Sequence, residues 1–361
     1  MQREIGGNIP LSEESLCIEP TDREIFGCSK FKYNLYTFSA RSALNVFLDE
    51  IYTGRKKVLL PIFTCSTCIK PFIDHGFQID YYRINTDFSV NEESLANKLE
   101  NISYEGILYI HSYFGFDTLK SIKPLLKELR KKESLVIIDD YTQSWLNDKK
   151  EIEADYYLAS IRKWLPTPDG GVLSSDTNKL NSERIRPYCK KQVDEYITAS
   201  LLKNRFLSGD ESIDKSQFYP LFKHTIEFFE EDCAYALSPV SKAIYDTADY
   251  KTVITKRIQN AEYLCNHINN KYIQKIFTSI PKGVVPFYYP IYVKNGKRAE
   301  FQKYLIQKNI FCTIHWTPSS YIEGMEEAET IFPEILSLVC DQRYDLDDME
   351  NFVAIINHFQ Q

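Results

Sequence analysis

Between Lys56 and Ser175 the chain alternates short apolar runs with longer amphipathic stretches. The runs are KVLLPIF (57–63), FQIDYYRI (77–84), GILYIHSYF (106–114), SLVIIDDY (134–141), ADYYLAS (154–160) and GGVLSS (170–175). Several are nearly continuous in Val, Ile, Leu and Tyr, the pattern of a strand buried on both faces of a parallel sheet. Between them, NEESLANKLE (91–100) opens with an Asn and early acids that suit a helix N-terminus. TLKSIKPLLKELRKK (118–132) carries Leu119, Ile122, Leu125, Leu126 and Leu129 at helical spacing, with bases gathered at its end where they complement the helix dipole. Strand and helix signals alternating in this way predict an open α/β sheet.

From about Asn181 to Asn270 helix signals dominate, interrupted by the charged patch SGDESIDK (208–215). Beyond it, VVPFYYPIYV (284–293) and IFCTIHW (310–316) read as strands, AEFQKYLIQKN (299–309) as a helix, and a last helix is expected from Asp345. This mixture predicts a smaller α+β portion joined near residue 240. No internal repeat or low-complexity segment interrupts the pattern.

Charge and composition narrow the function. Among 361 residues, 43 Lys and Arg face 50 Asp and Glu, a net charge of −7, so there is no basic field to attract nucleic acid or anionic lipid. Partners are therefore expected to be small molecules or proteins. The first thirty residues are polar and acidic, with no basic start, apolar stretch or small-residue cleavage site, and no membrane-length apolar run follows. A cytoplasmic setting is expected, and the nine Cys, an odd number scattered through the chain, fit reduced thiols used in packing. Cys65 and Cys68 form one CxxC, but no second CxxC or nearby His pair completes a zinc site, so no metal is expected. Gly is scarce, 13 residues, about half the usual share of roughly 7%. No GxGxxG and no GxxxxGK[ST] occurs, so any phosphate must be held by another device.

Ligands of open α/β sheets bind beyond the carboxyl ends of the strands. Three such positions carry chemistry: Asp139, Asp140 and Gln143 after VII; Ser160, Arg162 and Lys163 after YYLA; and Ser39, Ala40, Arg41 and Ser42 at the start of an amphipathic helix.

These residues resemble the DegT/DnrJ-type sugar aminotransferases, members of the fold type I superfamily that uses pyridoxal 5′-phosphate (PLP). The resemblance lies in VIIDDYTQS and in SIRKWLPTPDGGVL, where Lys163 is followed by Gly170 and Gly171; LPIFTCSTCIKPFIDHGFQI, IHSYFGF and CTIHWTP support it. It spans residues 36 to 350 and implies a large domain with a mostly parallel central sheet flanked by helices, residues 1–240 with an N-terminal extension over 1–35. A small α+β C-terminal domain, 241–361, completes it.

The resemblance also implies roles. Lys163 would hold PLP as a Schiff base and later move a proton between the donor carbon and the cofactor, its amine held partly neutral by burial against Trp164 and Leu165 and by the charge of Arg162. Asp140 would pair with the protonated pyridine nitrogen. Neighbouring strand residues face opposite ways, so only one of Asp139 and Asp140 can do so, and Gln143, three residues on, selects Asp140 as the partner of a cofactor-contacting Gln. Ala40, Arg41 and Ser42 would hold the phosphate by helix N–H groups and side chains, with Ser160 as a second ligand. Arg41 departs from the family's usual small residue followed by Thr or Ser, and is read either as a further phosphate partner or as a solvent-facing side chain.

Where the family places an aromatic ring over PLP this chain has Cys65, so the stacking partner is either missing or supplied elsewhere, with Tyr113 and Phe114 as candidates. His315 and Trp316 either line the substrate mouth or form a buried polar-aromatic pair; Arg343 either binds a donor carboxylate or makes a structural salt bridge. The implied reaction transfers an amino group from an amino acid such as glutamate to a nucleotide-linked keto sugar, in a homodimer. Two alternatives remain: another PLP reaction of lyase, aldolase or dehydratase type, against whose dehydratase form Lys163 speaks because the family then has His, and a non-catalytic relative that binds or regulates.

Overall fold

The structure, a computed structural model, describes residues 4–103, 105–228, 234–322 and 330–360. In chain order the strands are β1 (Ile5–Gly6), β2 (Tyr33–Thr37), β3 (Lys57–Pro61), β4 (Gln78–Tyr82), β5 (Gly106–Ile110), β6 (Leu135–Asp140), β7 (Tyr156–Ala159), β8 (Gly171–Ser175), β9 (Ile273–Lys275), β10 (Tyr289–Val293), β11 (Ile310–Phe311) and β12 (Ile335–Leu338). The α-helices are α1 (Ala40–Val46), α2 (Ser66–Asp74), α3 (Glu92–Asn101), α4 (Lys123–Leu129), α5 (Lys190–Leu207), α6 (Lys215–Phe228), α7 (Pro239–Thr247), α8 (Tyr250–His267), α9 (Arg298–Gln307) and α10 (Leu346–His358). The class is α/β with a mostly parallel central sheet flanked by helices. Two compact units make up the chain, one formed by Met1–Gly7, Gly54–Ala154 and Asp249–Gln361, the other by Asn8–Thr53 and Asp155–Ala248.

In the first unit β4, β3, β5 and β6 lie side by side and all run parallel, with Leu59 opposite both Asp80 and Leu108, and Ile110 opposite Asp139. Helices α2, α3 and α4 make the crossovers that parallel neighbours require. The β5 strand is buried along its whole length, as its unbroken apolar run demands. Because the four strands share one direction, the residues after Pro61, Ile110 and Asp140 emerge at the same end. The same unit carries an antiparallel sheet, β12-β10-β9, whose apolar faces pack with α8, α9 and α10 around Ala261, Leu264, Phe301, Leu305, Phe352 and Ile356. Helix α10 begins where Asp345 and Asp348 form a reciprocal capping box, and α3 where Asn91 accepts the Ser94 N–H.

Three elements are shorter than their patterns predict. The helix expected over 118–132 has its α-helical part only from Lys123 because Pro124, lacking an N–H and clashing one turn back, can start a helix but not continue one. The run 284–293 is a strand only from Tyr289. Upstream, the Val285 and Phe287 N–H groups donate to Asn147 Oδ1 and the Phe114 carbonyl instead of to a strand. The run 310–316 pairs as a strand over two residues, because its partner β1 is that short, and continues with a single bridge from Thr313 to Ser337.

The second unit places β8 between β2 and β7, antiparallel to both. The sequence marks 154–160 and 170–175 as strands but not their direction; the connection from Ser160 to Gly170 is too short for a parallel crossover and turns the chain back. With Thr37 opposite Gly171 and Ala159 opposite Val172, β2 and β7 end where β8 begins. Helices α5 and α6 pack on each other through Tyr196 against Phe222 and Phe206 against Phe218.

Candidate functional site

In the first unit Asp140 and Gln143 stand at and just after the end of β6, both buried. Asp140 Oδ1 accepts the Thr142 N–H at 3.0 Å, and Oδ2 accepts the Tyr109 hydroxyl at 2.6 Å and, more weakly, the Cys68 thiol at 3.8 Å. Asp139 faces elsewhere: its charge acts on Tyr82, as strand alternation requires. The Gln143 amide oxygen accepts the Phe114 N–H. That bond fixes which way round the amide sits and leaves its NH2 as the group that can donate to a ligand oxygen.

Cys65 is the N-cap residue of α2, half-buried, with Sγ 3.1 Å from Thr67 Oγ1. The preceding Thr64 is buried with a hydroxyl that has no hydrogen-bond partner among the described residues. Tyr113 and Phe114 are completely enclosed, Tyr113 donating to the Phe63 carbonyl and both packing on Phe88. A ring that stacks on a ligand must present a face to it, so these two candidates serve the core instead. His315 and Trp316 are half-buried on the same aromatic cluster: Trp316 meets Phe63 at 5.2 Å and His111 at 5.7 Å, and His315 Nδ1 lies 2.9 Å from Ser337 Oγ. The first unit thus brings His315 and Trp316 to the residues that follow β3 and β5.

Arg343 takes the structural alternative. Its guanidinium holds Asp341 through Nε at 2.9 Å and Nη2 at 2.7 Å, and donates to the carbonyls of Gly6 and Gly7. Burial would lower its pKa, but the Asp341 carboxylate prevails and holds the guanidinium firmly charged. Its donors are committed to the N-terminal strand rather than to a donor carboxylate.

In the second unit the chain reaches α1 through Ser39, whose Oγ accepts the Ser42 N–H at 3.0 Å and meets Ser42 Oγ at 3.0 Å. Gly171 backs this corner so closely that a Cβ would lie 2.0 Å from the Ser39 carbonyl carbon and 2.3 Å from the Ala40 nitrogen. Gly170, at φ +144°, would strike the Tyr245 hydroxyl at 2.3 Å. Both glycines are required by close approach, and the Gly170 N–H and carbonyl tie Phe38 to the Lys163 turn, the N–H donating to Phe38 and the carbonyl accepting from Arg162 N–H. Ser160, at the end of β7, is buried and its carbonyl accepts the Lys163 N–H.

Lys163 itself is exposed, between buried Ile161 and Trp164. The burial expected to shield its amine is therefore not provided by Trp164 and Leu165, which turn into the core. Burial instead draws the Arg162 guanidinium below its usual range, with Tyr196, Tyr245 and Asp169 opposing and the like charge of Arg41 reinforcing the shift. Arg41 thus lies within electrostatic reach of a second guanidinium, an arrangement suited to an anion.

Pattern reading overlooked four polar residues around these positions. Tyr109 and Thr64 read as ordinary strand and strand-end residues. Asp169 is wholly buried beneath the Gly170 turn, accepting Ser238 N–H and Oγ–H, and burial raises its pKa to about 6. Glu151 accepts from Ser112 and from Asn147 Nδ2, and burial raises it to about 7. Tyr109 meets Asp140, Asp169 meets Ser238 and Glu151 meets Ser112 across 31 to 69 positions, so no local spacing signals those contacts.

No protein-family model matches the chain, and no curated protein matches it. Solved structures do match over nearly its full length. Helicobacter pylori PseC, an aminotransferase involved in the biosynthesis of pseudoaminic acid, aligns with a TM-score of 0.67 at 14% identity, covering 98% of each chain. Spr1654 from Streptococcus pneumoniae in its PLP form gives 0.66 at 13% identity, again with 98% of each chain covered. The aminotransferase TlmJ from Streptoalloteichus hindustanus gives 0.66 at 15% identity, covering 99% of this chain and 97% of its own. At these identities the likeness establishes the fold, and it is the fold expected from the sequence.

Proposed function

We propose that the chain is a PLP-dependent aminotransferase that moves an amino group from an amino acid such as glutamate to a keto sugar carried on a nucleotide. The observation that carries this reading is that a chain folded like solved aminotransferases over nearly its full length sets Lys163 after one strand end and Asp140 with Gln143 after another. The donor set fits the cofactor. Asp140 keeps an acceptor direction beyond its three donors, the Gln143 NH2 is turned to donate, and Arg41 and Ser42 offer an anion a guanidinium and a hydroxyl beside the first turn of α1.

When bound, PLP supplies a ring that withdraws electrons from the substrate carbon. The Lys163 amine would hold the cofactor through its aldehyde and, when free, would serve as the base that moves a proton at the donor carbon. Asp140 would hold the proton on the ring nitrogen. Gln143 would donate to the ring hydroxyl oxygen, Ala40, Arg41, Ser42 and Ser160 would hold the phosphate, and Cys65 would be a further cofactor contact. His315 and Trp316 line the acceptor mouth. Residues 1–240 act as the cofactor-binding portion and 241–361 as the small portion, in a cytoplasmic homodimer. Among the described residues no helix is long and apolar enough to cross a membrane.

Purified chain incubated with PLP should develop a visible absorption band that borohydride fixes to Lys163 and that Lys163→Ala abolishes. Glutamate should convert the wild-type cofactor to its pyridoxamine form. A colourless protein from which PLP dialyses away overturns the reading, and a band unchanged by every amino donor overturns transamination.

A further inference from the structure

Asp140 is anchored more heavily than a carboxylate that only faces a ring nitrogen needs to be. The Thr142 N–H fixes one oxygen, and the Tyr109 hydroxyl and Cys68 thiol fix the other. Tyr109 stands on β5 and Asp140 ends the adjacent β6, in the register that sets Ile110 opposite Asp139. The phenol ring is fully buried and packs edge-on against Phe72 at 5.9 Å, a contact that Phe would make equally well. What the hydroxyl adds is the 2.6 Å bond to Asp140. Burial first, and the Asp140 charge second, push the phenol's pKa well up, so Tyr109 keeps its proton and acts as a donor.

We propose that Tyr109 is a positioning residue for the aminotransferase chemistry: its hydroxyl, assisted by the Cys68 thiol, orients the Asp140 carboxylate and sets how strongly that carboxylate competes for the proton on the cofactor's ring nitrogen. The inference rests on the aminotransferase reading above. Three of the roughly four lone-pair directions of a carboxylate are occupied by Thr142, Tyr109 and Cys68, which leaves one for the ring nitrogen. A hydrogen bond to a charged acceptor draws off part of its charge. Asp140 then leaves the proton on the ring, where electron withdrawal needs it. Without the hydroxyl, the proton shifts toward Asp140 and the ring becomes a weaker electron sink.

The test uses the full chain loaded with PLP carrying 15N in its ring, as wild type and as Tyr109→Phe. Both proteins should attach PLP to Lys163. In the variant the nitrogen resonance should move toward the unprotonated position, and the single-turnover rate with glutamate should fall roughly tenfold, the size expected for one hydrogen bond to a charged group. The apparent Kd for glutamate should change less than twofold. An unchanged resonance and rate in a folded, loaded variant overturn the proposal and leave the aminotransferase reading intact; wild type that does not take up PLP overturns both. Should Tyr109→Phe fail to fold, 3-fluorotyrosine at position 109 keeps the shape while strengthening the donor. The resonance should then move toward the protonated position, and no movement overturns the proposal.

Discussion

At the end of β6 the Asp140 carboxylate is buried and bound from three directions, whereas at the end of β7 the Lys163 amine is exposed and only its backbone is pinned. The difference follows from what each group is proposed to do. A carboxylate that keeps one charge in one place gains from fixed donors, because burial without them would cost several kcal/mol. An amine that must attach, let go and carry a proton needs a free side chain on a rigid base. In the second unit that base is the Gly170–Gly171 turn, pressed against Ser39 and tied to Phe38.

Five substitutions, in four tests, would break or sharpen this contrast. Lys163→Ala should abolish covalent PLP attachment and lower transamination roughly a thousandfold or more. It should leave unfolding stability within about 0.5 kcal/mol, since the side chain is exposed; a large loss of stability by urea titration would show that the amine is structural after all. Gly171→Ala should do the reverse. Its Cβ would be driven into the Ser39–Ala40 backbone, costing about 3 kcal/mol or more in urea denaturation and loosening PLP binding while Lys163 stays in place.

The third test compares two carboxylates whose pKa is raised, half-buried Glu151 in the first unit and fully buried Asp169 in the second. Burial raises Glu151 from 4.5 to about 7 and Asp169 from 3.8 to about 6. In both the folded state binds the proton more tightly than the unfolded chain. Each therefore contributes stability that is fully present below the unfolded pKa and is lost as pH rises through the folded one. Glu151→Gln should flatten the stability profile between about pH 4.5 and 7, and Asp169→Asn between about 3.8 and 6, by about 3 kcal/mol each. A profile unaltered by either variant would place those carboxylates in water. The smallest effect is expected from Ser39→Ala, which removes the cap on the Ser42 N–H and should cost about 1 kcal/mol in thermal unfolding, with a few-fold weaker PLP affinity.

Much of this was legible in the chain, and the legible parts share a local cause. Buried strands announce themselves as apolar runs, so β3 to β8 fall inside the segments read from the pattern. Caps act over three residues, so Asn91, Ser39 and Asp345 mark their helices. The strand-end positions of Lys163, Asp140 and Gln143 needed only the order of elements. Strand β2 was missed because its run, YNLYT, is polar and mostly half-buried.

The amino-acid sequence alone determined the α/β class, the order of its elements and the chemistry waiting at their ends, because periodicity and capping act between near neighbours. Tertiary structure decided what surrounds that chemistry: Tyr109 on Asp140, Ser39 on Gly171, Asp169 on Ser238, and Arg343 turned to Asp341 and the N-terminal strand. Except for the last ion pair, these contacts join residues dozens of positions apart. Burial makes them strong, and burial exists only once the strands have been brought together.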